Sequence, residues 1–508
     1  MPGDPFTVGT LLRSAPFIAL SCLAWGIESP SNAQTFPGGW SVEIVLDNID
    51  RPTALAFTPD GKWMLVAAKA SGDIVAHSLE TGIPQTTPFV SLPLSGSDIS
   101  EGGMLGLAVD PEFDSTKFVY SFRTATAETF QIDRHRAAFV NGELVATHTE
   151  TIFGPFPAGQ AHNGGAMKFG PDGYLYVALG DHGNSAAAQD PFAPSGKILR
   201  LTRDGHAAPG NPWAGGAGML PYTWAKGFRN CFGLAFDPAD GSLWMSEPGP
   251  SLPNFDEINR VVAGGNYGWG LGGLADGTGP QWQSWLVDPA LAFNLGTSMP
   301  TPVGLAFVHS WRYPSDLVGD GLVWCTGTMR AHRLRRGGAH LDTIAFQEKL
   351  QIAAGSSVIL ELGPDGYLYL CGFYSPTGFV ARIAYEESQL PPVSVAVRGE
   401  ASLGGGFRFY VTSKPPAVDV GMPDLAFALF GQRKPIGEWT PFGELMLETY
   451  EGVFGEFDRY GVAAFDIEIP NHSYLQGYEF EVQAFRLDAA SYYSTGVTHP
   501  EPTHVKIF

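Results

Sequence analysis

Ala54-Leu-Ala-Phe-Thr-Pro-Asp-Gly61 is an apolar, strand-like run that stops at a turn. The proline presets one turn dihedral and the glycine supplies a positive φ, so the phrase predicts a strand leading into a tight hairpin turn. It returns along the chain as Gly106-Leu-Ala-Val-Asp-Pro111, Met167-Lys-Phe-Gly-Pro-Asp-Gly173 and Gly233-Leu-Ala-Phe-Asp-Pro238. A weaker copy is Gly304-Leu-Ala-Phe307, and the last is Leu360-Glu-Leu-Gly-Pro-Asp-Gly366. Second strands follow several of the turns, as Tyr174-Leu-Tyr-Val177, Gly241-Ser-Leu-Trp244 and Tyr367-Leu-Tyr-Leu370. Pro59, Pro111, Pro171, Pro238 and Pro364 lie 52, 60, 67 and 126 residues apart, and the last interval holds the weak copy. Six units with irregular insertions predict an all-β chain whose residues 34–385 form a six-bladed β-propeller. One four-stranded blade cannot cover both of its own faces, whereas blades stacked around a channel cover each other. A β-sandwich or a solenoid fits the count and pitch less well.

Composition shifts after Ala384. Residues 386–392 read as a linker, and 393–508 as a small antiparallel β-sandwich-like accessory domain. Its runs Phe407–Val411, Leu425–Leu429, Phe465–Ile469, Tyr478–Phe485 and Val505–Phe508 alternate apolar with polar residues, the pattern of sheets with one solvated face.

Residues 1–33 read as an export signal. Arg13 precedes an apolar run from Ala15 to Ile27, and Ser31-Asn32-Ala33 has the form of a cleavage site. The run is too short to span a bilayer, and no later segment approaches a span. An exported protein, periplasmic or extracellular, is expected. Removing Asp4, Arg13 and Glu28 leaves 29 cations and 49 anions, a formal balance of −20. That surface repels nucleic acid and anionic lipid, and is compatible with neutral sugars, metal ions and basic redox partners. Cys231, Cys325 and Cys371 are too few for a disulfide scaffold and read as buried free thiols, although Cys325 and Cys371 both fall in strand-like runs.

Three clusters could carry chemistry. In Gln160-Ala-His-Asn-Gly-Gly165, followed by Gly180-Asp181, an imidazole could take a proton while a carboxylate orients it. A lone histidine is more often a satisfied polar residue. In Lys226-Gly-Phe-Arg-Asn-Cys231, Arg229 offers a bidentate grip on a carboxylate, or equally a salt bridge between blades. Ser246-Glu-Pro-Gly-Pro250, Asp256-Glu-Ile-Asn259 and Gly264-Gly-Asn-Tyr-Gly-Trp269 combine turn carbonyls with carboxylates, the hard oxygen donors that calcium takes six to eight of.

These phrases, with Gly196-Lys-Ile-Leu-Arg200, resemble the soluble pyrroloquinoline-quinone (PQQ) sugar dehydrogenases of the glucose/sorbosone dehydrogenase family, over about residues 40–385. The resemblance implies that His162 is the general base toward a sugar hydroxyl and that Asp181 supports it. It places Glu101, His162, Arg229, Asn230 and Arg330 at the cofactor. It implies calcium at the carbonyls of Gly249 and Pro250, or at Glu257 and Tyr267. The substrate would be an aldose sugar or a related alcohol, with hydride passing to the quinone and electrons leaving to an external acceptor such as a cytochrome or quinone.

The pattern is broken at three places. Glu101, in Ser100-Glu-Gly-Gly-Met-Leu105, stands where the family has a glutamine. Ser356 and Val358, in Gly355-Ser-Ser-Val358, replace two arginines that grip the cofactor's carboxylates. Arg330 stands for a lysine, and Arg333, Arg335 or Arg336 are available as compensating cations. The alternative expectation is a catalytically silent, calcium-stabilised propeller that binds carbohydrate or protein. A propeller hydrolase ranks last, because no nucleophile is recognisable.

Overall fold

The computed structural model describes residues 34–508 except 95–100, 127, 251–254, 272–283, 294–299, 339–340, 374–377, 399–405, 416–424, 441–442, 470–475, 477–478, 488–496, 499–502 and 507–508. The expected export signal and its cleavage near Ala33 lie outside the described residues, as do Tyr478 and Phe508 at the ends of two expected strands.

The chain is all-β, and each copy of the repeat opens a sheet. Sheet 1 is Pro52–Phe57, Trp63–Ala68, Asp73–Ser78 and Val90–Ser91; sheet 2 is Met104–Val109, Phe118–Thr126, Thr129–Val140 and Glu143–Pro157. Sheet 3 is Met167–Phe169, Leu175–Leu179, Lys197–Leu201 and Thr223–Lys226; sheet 4 is Gly233–Phe236, Leu243–Glu247, Asp256–Val261 and Leu291–Phe293. Sheet 5 is Pro302–Phe307, Gly321–Cys325, Arg330–Gly337 and Thr343–Ala353. Sheet 6 has Ser357–Leu362, Leu368–Gly372 and Gly378–Tyr385, and its fourth strand is Trp40–Ile49 from the other end of the chain. Trp40 pairs with Tyr385 and Ile49 with Gly378. Gly61, Gly173, Gly241 and Gly366 adopt φ of +74°, +77°, +69° and +82°, the left-handed turn geometry that the repeat predicts and that only glycine takes without strain.

Apolar packing joins the sheets in a cycle. Leu65 and Ala76 of sheet 1 pack with Leu107 and Val119 of sheet 2. Phe122 and Ile132 pack on Val177 and Leu199 of sheet 3, and Ala178 and Ile198 on Met245 of sheet 4. Trp244 and Ile258 meet Phe307 and Val323 of sheet 5, and Trp324 and Ala331 meet Leu370 and Ala381 of sheet 6. Tyr369 and Val380 then return to Met64 and Val66 of sheet 1. Every sheet therefore buries both faces, one on each neighbour.

Beyond Tyr385, a one-turn 3-10 helix at Glu387–Gln389 leads into two further sheets. One is Val393–Arg398, Gly406–Ser413 and Val462–Glu468; the other is Gly443–Glu456, Leu425–Thr440 and Glu479–Leu487, with Val497–Thr498 and Thr503–Lys506 both pairing on Glu479–Leu487. Phe407, Phe409 and Val411 share a core with Ala426, Ala428 and Val482. Strands Val393–Arg398 and Gly443–Glu456 were not singled out from sequence.

This C-terminal region docks on sheets 4 and 5 through buried charge. Asp320 pairs with Arg398 Nε at 2.5 Å and accepts a hydrogen bond from Arg333 Nε at 2.6 Å; Asp237 meets Arg336 at 2.5 Å, and Arg408 lies 3.3 Å from Asp240. Arg335 also approaches Asp320, at 3.4 Å. Arg333, Arg335 and Arg336 are thus engaged here, and the expectation that one of them replaces the missing arginines near residue 356 is corrected. Removing one partner from such a network strands the others in a low dielectric. Asp320→Ala is expected to destabilise the protein by about 3–5 kcal/mol in denaturant unfolding, against at most about 1 kcal/mol for Asp50→Ala at the exposed Arg51 pair.

Three interior imidazoles are held neutral. Burial lowers His135, His182 and His332 to about 4. The unfolded chain takes up these protons near 6.5, before the folded one does, so the stability they carry is complete above that pH. It is lost progressively as pH falls toward 4. The melting temperature is expected to drop between pH 6.5 and 4.5, and His135→Gln to flatten that drop.

Candidate active site

The register of the sheets decides which residues meet. Pro52 pairs with Ala68, Gly233 with Ser246, and Ser357 with Gly372. Each first strand therefore begins, and each second strand ends, at one rim of the ring, while the Pro-Asp-Gly turns lie at the other. Glu101, His162 and Arg229-Asn230 precede first strands; Lys69, Asp181 and Glu247–Pro250 end or follow second strands. All of them emerge at the same rim.

A cavity of about 280 Å³ runs inward from it, lined by the first strands of all six sheets and by Lys69, Glu101, Asn230, Pro248 and Phe373. Lower down, Lys168 of sheet 3 makes an ion pair with Glu361 of sheet 6, and both line the cavity. Sheets 3 and 6 stand opposite each other in the cycle, so this pair spans the channel.

His162 Nδ1 lies 2.7 Å from Asp181 Oδ1, and Trp269 Nε1 donates to Asp181 Oδ2 at 2.8 Å. Gly183 N–H donates to Oδ1 at 2.8 Å. The hydrogen bonds from His162, Gly183 and Trp269 outweigh the burial of Asp181 and hold its carboxyl below the usual range. An ionised Asp181 fixes the proton of neutral His162 on Nδ1 and leaves Nε2 as the basic lone pair. His162 sits at φ +59°, and Glu101 accepts its backbone N–H. Asn163, fully buried, ties its loop by donating to Glu101 O at 3.1 Å and Gly159 O at 2.9 Å. A Cβ on Gly180 would lie 2.2 Å from His162 O and 3.0 Å from Arg229 O, so only glycine lets these loops close around Asp181.

Arg229 links the parts. Its carbonyl accepts Asp181 N–H at 2.7 Å, its guanidinium donates to Pro248 O at 2.8 Å, and its backbone N–H bonds Glu247. The ring of Trp269 lies 5.8 Å from its guanidinium carbon. Lys197, fully buried, donates to Ala187 O at 2.9 Å and Ser195 O at 3.0 Å, which pins the loop after Asp181; burial lowers its pKa to about 7.

Oxygen donors collect beside this dyad. Glu247 and Glu257 pair across neighbouring strands, both buried, and Asn259 Nδ2 donates to Glu257 at 3.0 Å and to Glu247 at 3.4 Å. Asn259 Oδ1 and Asn230 Oδ1 are buried without a hydrogen-bond partner. Burial pushes Glu247 up to about 7, against the backbone N–H groups of Arg229 and Asn230. Gly249 N–H and Thr301 N–H both donate to Asp256 at 2.8 Å, fixing the turn before Pro250. The Tyr267 hydroxyl donates to Arg260 O at 2.6 Å and its ring stacks on Phe228. Among the described residues no three His, Cys, Asp or Glu side chains converge on one point. A calcium ion here would need amide and main-chain oxygens as well as carboxylates, and the two orphaned amide oxygens fit that donor chemistry.

Arg330 donates to Gln351 Oε1 at 2.9 Å and, like Arg229 and His162, is not part of the cavity lining. Val358 lines it without polar contact. Sequence reasoning passed over Trp269 and Glu247, although both stood inside quoted motifs, and it missed Lys69, whose place on the cavity follows only from ring closure. Cys231, Cys325 and Cys371 are buried and free, as expected. No helix among the described residues is long and apolar enough to cross a membrane. Nitrogen NMR of the imidazole is expected to show His162 as the Nδ1–H tautomer at pH 8, and Asp181→Ala to shift it toward Nε2–H.

Comparison with known proteins adds a second line of argument. Residues 49–373 match the family model described as Glucose / Sorbosone dehydrogenase, which leaves the C-terminal sheets outside it. The aldose sugar dehydrogenase YliI of Escherichia coli is 28% identical over 387 residues, 70% of this chain and 93% of that protein. Quinoprotein glucose dehydrogenase B of Acinetobacter calcoaceticus is 28% identical over 53% of this chain and 61% of its own length. The PQQ-bound aldose sugar dehydrogenase of Streptomyces coelicolor superposes with a TM-score of 0.55 at 28% identity, over 69% of this chain and all of that one.

Proposed function

The chain belongs to the glucose/sorbosone dehydrogenase family, and on that premise we propose that it is a PQQ- and calcium-dependent oxidoreductase of aldose sugars or related alcohols. The observation that carries this reading is the His162–Asp181–Trp269 chain, which leaves one imidazole nitrogen basic beside a cavity lined by Lys69, Glu101 and Asn230. The ring of six sheets is read as a six-bladed β-propeller over residues 34–385, with 393–508 as a sandwich-like accessory domain. Export to the periplasm or beyond, and an external electron acceptor, belong to the same reading.

His162 Nε2 accepts the hydroxyl proton of the substrate while the adjacent C–H bond gives up a hydride, so that CH–OH becomes C=O. Asp181 stabilises the imidazolium that forms and keeps the ring from rotating. Glu101 holds the backbone of His162, and so acts by positioning. A bound quinone supplies the two-electron acceptor. Arg229, Asn230 and Arg330 are read as its polar contacts, Asn230 from the cavity wall and the two arginines, like His162, from beyond its lining. Calcium is read at the Glu247–Glu257–Asn259 cluster and the turn carbonyls of Gly249 and Pro250, with Tyr267 contributing through its main chain because its hydroxyl is engaged.

One observation favours a second reading: Ser356 and Val358 leave the cavity without two expected cations. A silent propeller that binds carbohydrate or protein would bind no PQQ. The two readings part in one experiment. The mature chain with calcium and PQQ is expected to reduce a dye with some aldose, and PQQ to quench its tryptophan emission saturably. His162→Ala should cut turnover by about 10²–10⁴-fold with PQQ affinity nearly unchanged. Absence of saturable quenching would establish the silent reading, and undiminished turnover would remove His162 as the base.

A further inference from the structure

Two cations are missing from sheet 6, and a lysine without a side-chain partner among the described residues stands on the sheet beside it. Lys69 follows the second strand of sheet 1, is 4% exposed, and lines the cavity together with Val358 and Phe373 of sheet 6. Its backbone is fixed on both sides: its N–H donates to Asp50 O at 3.1 Å, and its carbonyl accepts Met104 N–H at 3.1 Å. Its stem lies against Gly103, where an added Cβ would come within 2.9 Å of Lys69 Cγ. The slot for this side chain is therefore built by a neighbouring residue that can be nothing larger.

The ammonium has no hydrogen bond and no ion pair within 4 Å among the described residues. Asp50 and Glu101 are the anions near it and Arg51 the cation, all acting at longer range. Glu101 is itself engaged with His162 N–H. A nearly buried ammonium is costly unless an anion answers it, and such groups cluster where ligands bind. Burial lowers the Lys69 pKa, and an arriving carboxylate would reverse that shift.

We infer that Lys69 is the cavity's carboxylate-binding cation, holding one carboxylate of the quinone cofactor from sheet 1 in place of the arginines absent from sheet 6. The inference rests on the dehydrogenase reading, since it takes the cofactor from it.

The test is PQQ titration by tryptophan quenching, with calcium present, on the wild type, Lys69→Met and Lys69→Arg. Lys69→Met is expected to weaken PQQ binding about ten- to a hundredfold, the value of one charge-assisted hydrogen bond, and Lys69→Arg to recover most of it. A Lys69→Met affinity within about twofold of wild type overturns the inference and leaves the dehydrogenase reading standing. A wild type that binds no PQQ overturns both. Should Lys69→Met fail to fold, acetic anhydride labelling of the wild type decides the matter: saturating PQQ is expected to slow acetylation of Lys69 at least fivefold, and an unchanged rate refutes the assignment.

Discussion

Pairing of Trp40–Ile49 with Gly378–Tyr385 brings together segments more than three hundred residues apart, and the rest of the architecture follows from it. Without that pairing sheet 6 keeps only three strands. With it, the apolar faces form a closed cycle in which Tyr369 and Val380 return to Met64 and Val66. Closure also fixes a rim. Because every first strand starts at the same end, loops from six parts of the chain are forced into one small space.

Within that space backbone economy is strict. Gly180 admits the carbonyls of His162 and Arg229 at distances no side chain would allow, and His162 itself takes a left-handed conformation while held by Glu101 and Asp181. Strain of this kind persists where surrounding contacts over-determine it. The electrostatics follow the same division of labour. Asp181 is kept ionised by three donors, whereas Glu247, equally interior, is pushed toward neutrality by burial. One carboxyl therefore stays charged against an imidazole, while the other is held close to its neutral form by burial.

The C-terminal sheets are joined to the ring by guanidinium–carboxylate pairs rather than by apolar area alone. Arg398 and Arg408 reach Asp320, Asp237 and Asp240, and Tyr460 accepts Trp311 N–H at 3.0 Å. Buried pairs of this type add little net stability, since desolvation offsets much of the attraction, but each partner depends on the other once both are buried. They explain why the arginines after residue 330 are not available to the cavity.

The repeat of Pro, Asp and Gly, the alternating runs, and the order of the motifs around His162, Arg229 and Glu257 were legible in the amino-acid sequence, because turn chemistry and short motifs are local. The sequence also located Glu101, Ser356 and Val358 as departures from the family pattern. It could not assign Lys69 or Trp269, and it placed Arg330 at the cofactor without knowing which way the side chain turns. Lys69 faces the cavity and Arg330 turns away to Gln351 because of strand register and ring closure, and those depend on contacts between residues hundreds of positions apart. Local sequence set which groups exist; only the closed ring decided which of them share a dielectric and a distance.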